Sequence, residues 1–177
     1  MREASHETNG KIKMKKILLS TIAILWLSVG IANAIDPPEQ KEGLWTIHRQ
    51  SIDNPGNKKS ESTSTICRNH AYDQHAQSLA KNVKGCTTLS ETFQGSKLSV
   101  AMHCVEAGTA VDSKGTVTFQ GDTAAHSESH ATYTPAMGGI SDTTMIMDQK
   151  YVGSCPAGAQ PGDLTTADGK VIHLWKH

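Results

Sequence analysis

The sequence predicts a mainly β fold, an antiparallel meander of about seven strands closing into a barrel or curved sandwich, with one short helix after the second strand. Three observations predict it. Apolar and polar residues alternate in short runs broken by Gly, Asn and Pro; one segment alone carries its apolar residues at helical spacing; and the four cysteines contain no CxxC pair.

The elements follow in order. Residues 35–42, Ile-Asp-Pro-Pro-Glu-Gln-Lys-Glu, read as an extended lead-in. Gly43 opens a β-rich run through Ile52, the cluster Asp53-Asn54-Pro55-Gly56 turns the chain, and residues 60–67 return as the second strand of a hairpin. Ala71/Tyr72, His75/Ala76 and Leu79 then recur at helical spacing, with Asn69 placed to cap the N-terminus and Gly85 to end the segment, so a helix is predicted over 69–81. Beyond it the runs 86–94, 97–106, 114–120, 124–134 and 141–152 alternate like strands, broken at Gly95-Ser96, Gly108, Gly121-Asp122 and Met137-Gly138-Gly139.

The hairpin from Cys86 to Cys104 can be phased. A two-residue Gly95-Ser96 loop, with Gly first as a type II′ turn requires, pairs Phe93 with Leu98, Glu91 with Val100 and Leu89 with Met102. Leu89, Phe93, Leu98, Val100 and Met102 then share one face, and with Trp45 they form the expected core or wall of a ligand cavity. In that register Cys86 faces residue 105 rather than Cys104. A bulge between Gly85 and Thr88 would bring the two cysteines into phase. If strands alternate strictly and the helix carries the chain across the sheet, a distance of about 18 Å for twelve residues, Cys86 and Cys104 share one end and Cys67 and Cys155 the other. The expected disulfides are therefore Cys86–Cys104 and Cys67–Cys155.

Met14-Lys15-Lys16, an apolar run over 17–31 and Ala32-Asn33-Ala34 have the order of a signal peptide cleaved after Ala34. The apolar run is too short for the roughly 20 residues of a spanning helix, so no membrane span is expected after cleavage. Residues 1–13 are read either as a long n-region or as lying upstream of a true start at Met14. Removing 1–34 leaves 12 Lys/Arg against 15 Asp/Glu, a formal charge of −3, which makes nucleic acid a poor partner. The expected location is the periplasm, where cysteines oxidise. The remaining chain divides into one disulfide-stapled β domain, 35–156, and a tail, 157–177. The tail joins a Gly/Pro linker to the cluster Val171-Ile172-His173-Leu174-Trp175. Docking, an added strand and a mobile end are all left open by its sequence.

Gly43-Leu44-Trp45 at the start of the domain, Cys67 heading a short helix, the Cys86-to-Cys104 hairpin and the closing Tyr151-Val152-Gly153-Ser154-Cys155-Pro156 occur in a characteristic order. Over about residues 42–156 the chain resembles the bacterial DUF3617 family of exported proteins. The resemblance implies a small periplasmic β-rich domain, and it carries no catalytic residues to transfer. The chain differs from that pattern in having Asp53-Asn54-Pro55-Gly56-Asn57 where many members carry a Met-Pro-rich stretch, and in its longer tail.

No G-x-S-x-G, H-E-x-x-H or P-loop is present. Glu91, Glu106 and Glu128 fall on alternating positions that read as outward rims, and disulfides consume every thiol. A catalytic role and a cofactor are therefore not expected. Trp45 is read as a core anchor in preference to a cavity floor. His126 and His130, four apart on a strand, lie about 13 Å apart and read as solvated. The function expected is binding of a small apolar ligand or an envelope protein. The alternative is a soft-metal site for copper built from Met145, Met147, Met102 and His103, since thioethers and imidazole suit Cu(I).

Overall fold

The computed structural model describes residues 37–175. The expected signal peptide and its cleavage site lie outside the described residues. Those described fall in one compact unit, 34–177, and run β1 (Gly43–Asn54), β2 (Lys58–Arg68), α1 (His70–Lys81), β3 (Cys86–Gln94), β4 (Lys97–Glu106), β5 (Thr109–Gln120), β6 (Ala124–Met137), β7 (Ile140–Gly153), β8 (Asp163–Thr166) and β9 (Val171–His173). They form one antiparallel sheet in the order β3-β4-β5-β6-β7-β1-β2-β8-β9.

The sheet does not close into a barrel, which corrects the sequence expectation, and chain direction gives the reason. Helix α1 carries the chain from the end of β2 back across the sheet, so β3 starts at the opposite end and runs parallel to β2. An antiparallel ladder of seven strands leaves its first and last parallel, and they cannot pair in the same pattern. Strand β8 takes the outer edge of β2 instead, matching Ile66 to Leu164. The tail is thus two further strands of the sheet. Strand β5 also begins at Thr109 rather than near 114, because the polar residues Asp112 to Lys114 pair with β4 and β6 in unbroken register.

The small apolar core sits at one end, where β1 lies between β7 and β2. Trp45 is 0% exposed and stands opposite Ile66 on one side and Tyr151 on the other. Its indole N–H donates to the Lys41 carbonyl at 2.8 Å, and Tyr151 meets the ring edge-on at 6.1 Å. Gly43 makes the close approach possible: with φ at 138°, a Cβ there would strike the Gly153 carbonyl and the Tyr151 ring. Cys67 and Cys155 are joined beside this core, and Cys86 and Cys104 are joined at the far end of the sheet. Both disulfides follow the direction argument.

The hairpin β3–β4 corrects one residue. Cys86 pairs with Cys104, Thr88 with Met102, and the register then shifts between Thr88 and Ser90 before Phe93 meets Leu98. The bulge needed to phase the cysteines is there, but the extra residue is Leu89. Left without a ladder partner, Leu89 is 64% exposed and belongs to neither core nor cavity. Leu89→Ala should therefore cost less than about 0.5 kcal/mol in urea denaturation, whereas a core leucine would cost about 2–5 kcal/mol.

Candidate functional site

Strand alternation puts Trp45, Ile47, Ile66, Arg68 and Gln149 on one face, with Leu98 and Val117 on the same face farther along the ladder. Helix α1 lies over this face. Asn69 caps it, its side chain accepting from the Tyr72 N–H at 2.8 Å, and Asp73 occupies the first turn, where a carboxylate complements the helix dipole.

Arg68, the last residue of β2, anchors the helix. Its Nε donates to Asp73 Oδ1 at 2.8 Å, its Nη1 donates to Gln149 Oε1 at 3.1 Å, and the guanidinium lies 4.7 Å from the centroid of the Trp45 ring. Both members of the ion pair are largely buried. Two cavities flank them. The smaller, about 210 Å³, lies among Ile47, Ile66, Tyr72, Ala76, Gln77 and Gln149. The larger, about 460 Å³, has Leu98, Val117 and Phe119 as its floor, Asp73, Gln74 and Gln77 of α1 as one wall, and the lead-in from Pro37 to Gln40 as another. Because Ile47 of β1 and Ile66 of β2 line one cavity with α1 while Leu98 of β4 and Val117 of β5 line the other, the sheet curls around the helix.

The tail secures the outer side of this roof. Trp175 stacks on His75 at 5.5 Å and lies 6.1 Å from the ring of Tyr72. Gly162 leaves room for it, since a Cβ there would come within 2.9 Å of Trp175. Burial, opposed in part by Arg68, pushes the Tyr72 phenol above its ordinary range.

Residues 40–155 match the family described as "Protein of unknown function (DUF3617)". The chain belongs to the DUF3617 family. No curated protein matches it. Among solved structures this DUF3617 chain is similar to the S-type phycobiliprotein lyase CPES from Guillardia theta. The two share 12% identity over 64% of this chain and 89% of that one, with a TM-score of 0.34.

Of the residues expected to line a cavity, Leu98 lies in the floor of the larger cleft. Phe93 stands beside Phe119, with centroids 6.2 Å apart, at a smaller recess near Pro38 and Glu39. Val100 and Met102 are half-buried farther along the same face of β4. Trp45 is wholly buried and serves the core.

The copper set is not assembled. Met102 and His103 are neighbours on β4 and so point to opposite faces, and His103 turns to Asp112 at 2.8 Å. Met145 and Met147 are on β7, three strands from Met102, about 14 Å of sheet. Among the described residues no three His, Cys, Asp or Glu converge on a point that would hold a metal ion. Sequence reasoning passed over Arg68, Asp73, Gln40, Val117, Phe119 and Gln149. The face shared by Leu98 and Val117 follows from strand alternation, but the convergence of two distant pairs of strands on one helix leaves no local signal.

The opposite face carries His48, His103, His126 and His130 in polar surroundings. A shallow depression of about 440 Å³ on it, lined by Lys114, Glu128 and His130, is more open than the cleft beneath α1. His126 is held at both ring nitrogens, Nδ1 by Asp148 at 2.7 Å and Nε2 by Glu128 at 3.1 Å. These hydrogen bonds, that of Asp148 foremost, raise its pKa above the ordinary 6.5.

Two outcomes follow. Asp73→Asn should destabilise the domain by about 1–3 kcal/mol in urea, because it removes the charge opposite the largely buried Arg68. The His126 imidazole, followed by NMR, should titrate above 6.5 and fall toward it in Asp148→Asn. Since the folded value is raised, the stabilisation is full below the unfolded value of about 6.5 and is lost as the pH rises through the higher folded value; near the surface it amounts to less than about 1 kcal/mol.

Proposed function

We propose that this DUF3617 domain is an exported, non-enzymatic binding module that holds one small, largely apolar molecule in the cleft between α1 and the sheet. The observation that carries the proposal is the cleft itself. Leu98, Val117 and Phe119 stay half-buried at its floor, beneath a helix that contributes no fully buried residue of its own. Apolar surface left partly wet under a roof gains free energy when a hydrocarbon displaces the water. A volume of about 460 Å³ lies within the range of small-molecule sites. Arg68 and Asp73, the strongest charges nearby, are committed to each other, which supports binding over catalysis. Two disulfides and the leader-like N-terminal sequence support export to an oxidising compartment.

Native mass spectrometry of the protein purified from its own compartment, compared with the mass after denaturation with disulfides intact, tests this. The native spectrum should carry extra mass that denaturation removes. Val117→Trp, which fills the cleft, should abolish the adduct and weaken an apolar fluorophore at least tenfold, while Met145→Leu with Met147→Leu should retain both. Equal native and denatured masses, together with no fluorophore binding, would reject the cleft and favour an envelope protein as the partner.

A further inference from the structure

The cleft beneath α1 is not the whole of the apolar space at this end of the sheet. The recess beside Phe93, about 340 Å³, adjoins it, and Pro38, Glu39 and Phe119 line both. The lead-in therefore bridges two spaces that meet at one aromatic ring. It is tied down just beyond the bridge, where the Lys41 N–H donates to the Asp122 carbonyl at 2.8 Å and the Gln40 carbonyl accepts from His70 Nε2 at 3.2 Å.

The floor runs on from one space to the other. Phe93 faces Leu98 in the ladder of β3 with β4, and Leu98 faces Val117 in the ladder of β4 with β5. Three apolar side chains thus stand in one row across three adjacent strands, about 10 Å from first to last. Phe119 joins them from the same face of β5, two residues along from Val117. The row stops at Ser127 of β6 on one side and at the sheet edge, β3, on the other. The chain has two phenylalanines, and both stand here half-buried, while the buried apolar core is made of Trp45, Ile66, Cys67 and Ala125. Its two phenyl rings serve this strip instead of the core.

We infer that the ligand is an unbranched hydrocarbon chain lying across β5, β4 and β3 beneath Pro38 and Glu39, one end in the cleft under α1 and the other past Phe119 against Phe93. This rests on the cleft being the binding site. A compact molecule of the same carbon number would stay in the inner cleft and leave Phe93 wet. A chain covers the whole row and gains free energy with each methylene it takes out of water.

Butanol, octanol, dodecanol and cyclododecanol, each competing with the apolar fluorophore, separate chain from compact shape. Affinity should rise about fourfold per methylene from butanol to octanol and keep rising to dodecanol. Phe93→Ala, and Ser96→Trp at the exposed turn that lines the outer recess, should each weaken dodecanol at least tenfold while leaving butanol and cyclododecanol unchanged. Affinities that level off at octanol, cyclododecanol binding as tightly as dodecanol, or dodecanol unaffected by both substitutions would overturn the chain inference and leave the cleft standing. Failure of the fluorophore and every alcohol to bind the unmodified protein would reject the cleft and the inference with it. Should Phe93→Ala fail to fold, Ser96→Trp and the ranking of the alcohols decide the matter.

Discussion

One guanidinium ties together the parts of this molecule that sequence keeps apart. Arg68 ends β2, pairs with Asp73 in the first turn of α1, reaches Gln149 on β7 and covers the indole of Trp45 on β1. Taken singly these contacts are ordinary. Together they set the height and direction of the helix above the sheet, and so the depth of the cavities on either side. A lysine at the same position would be a point charge without a planar fork, unable to bridge a carboxylate and an amide while lying flat on an aromatic ring. The disulfide next to it in sequence, Cys67–Cys155, secures the same corner on the other face of β2.

Much of the scaffold was legible because it depends on local signals. Turn residues located the hairpins, Asn69 and the spacing of Ala71 to Leu79 located α1, and chain direction chose both disulfides. The out-of-phase cysteines even demanded a bulge. What could not be read was which residue would be extruded, and hence that Leu89 would leave the apolar face. Closure was misjudged because it depends on whether the first and last strands run parallel, a property of the whole chain path.

The candidate site was less legible for a related reason. Leu98 and Phe93 were singled out from an alternating pattern, yet the polar residues that wall the cleft include a strand-terminal arginine, a helix aspartate and a glutamine in an irregular lead-in. None stands in a motif. Their meaning comes from the curl of the sheet, which brings β4 and β5 to the same helix that β1 and β2 support. The tail contributes from beyond the family's matched residues, since Trp175 braces the helix from outside.

The displaced Leu89 has a consequence beyond the disulfide it brings into phase. An open sheet has two edges, each a row of backbone donors and acceptors onto which another chain can add. Here one edge is interrupted near its middle by an extruded residue, and the other steps from β2 to the short strands β8 and β9, leaving residues 58–63 of β2 unpaired on that side, a run that carries the charges of Lys58, Lys59 and Glu61. Neither offers the long, flat and uncharged run that strand-by-strand growth favours. A sheet that curls around its helix without sealing can thus keep its cleft open while resisting assembly into fibres.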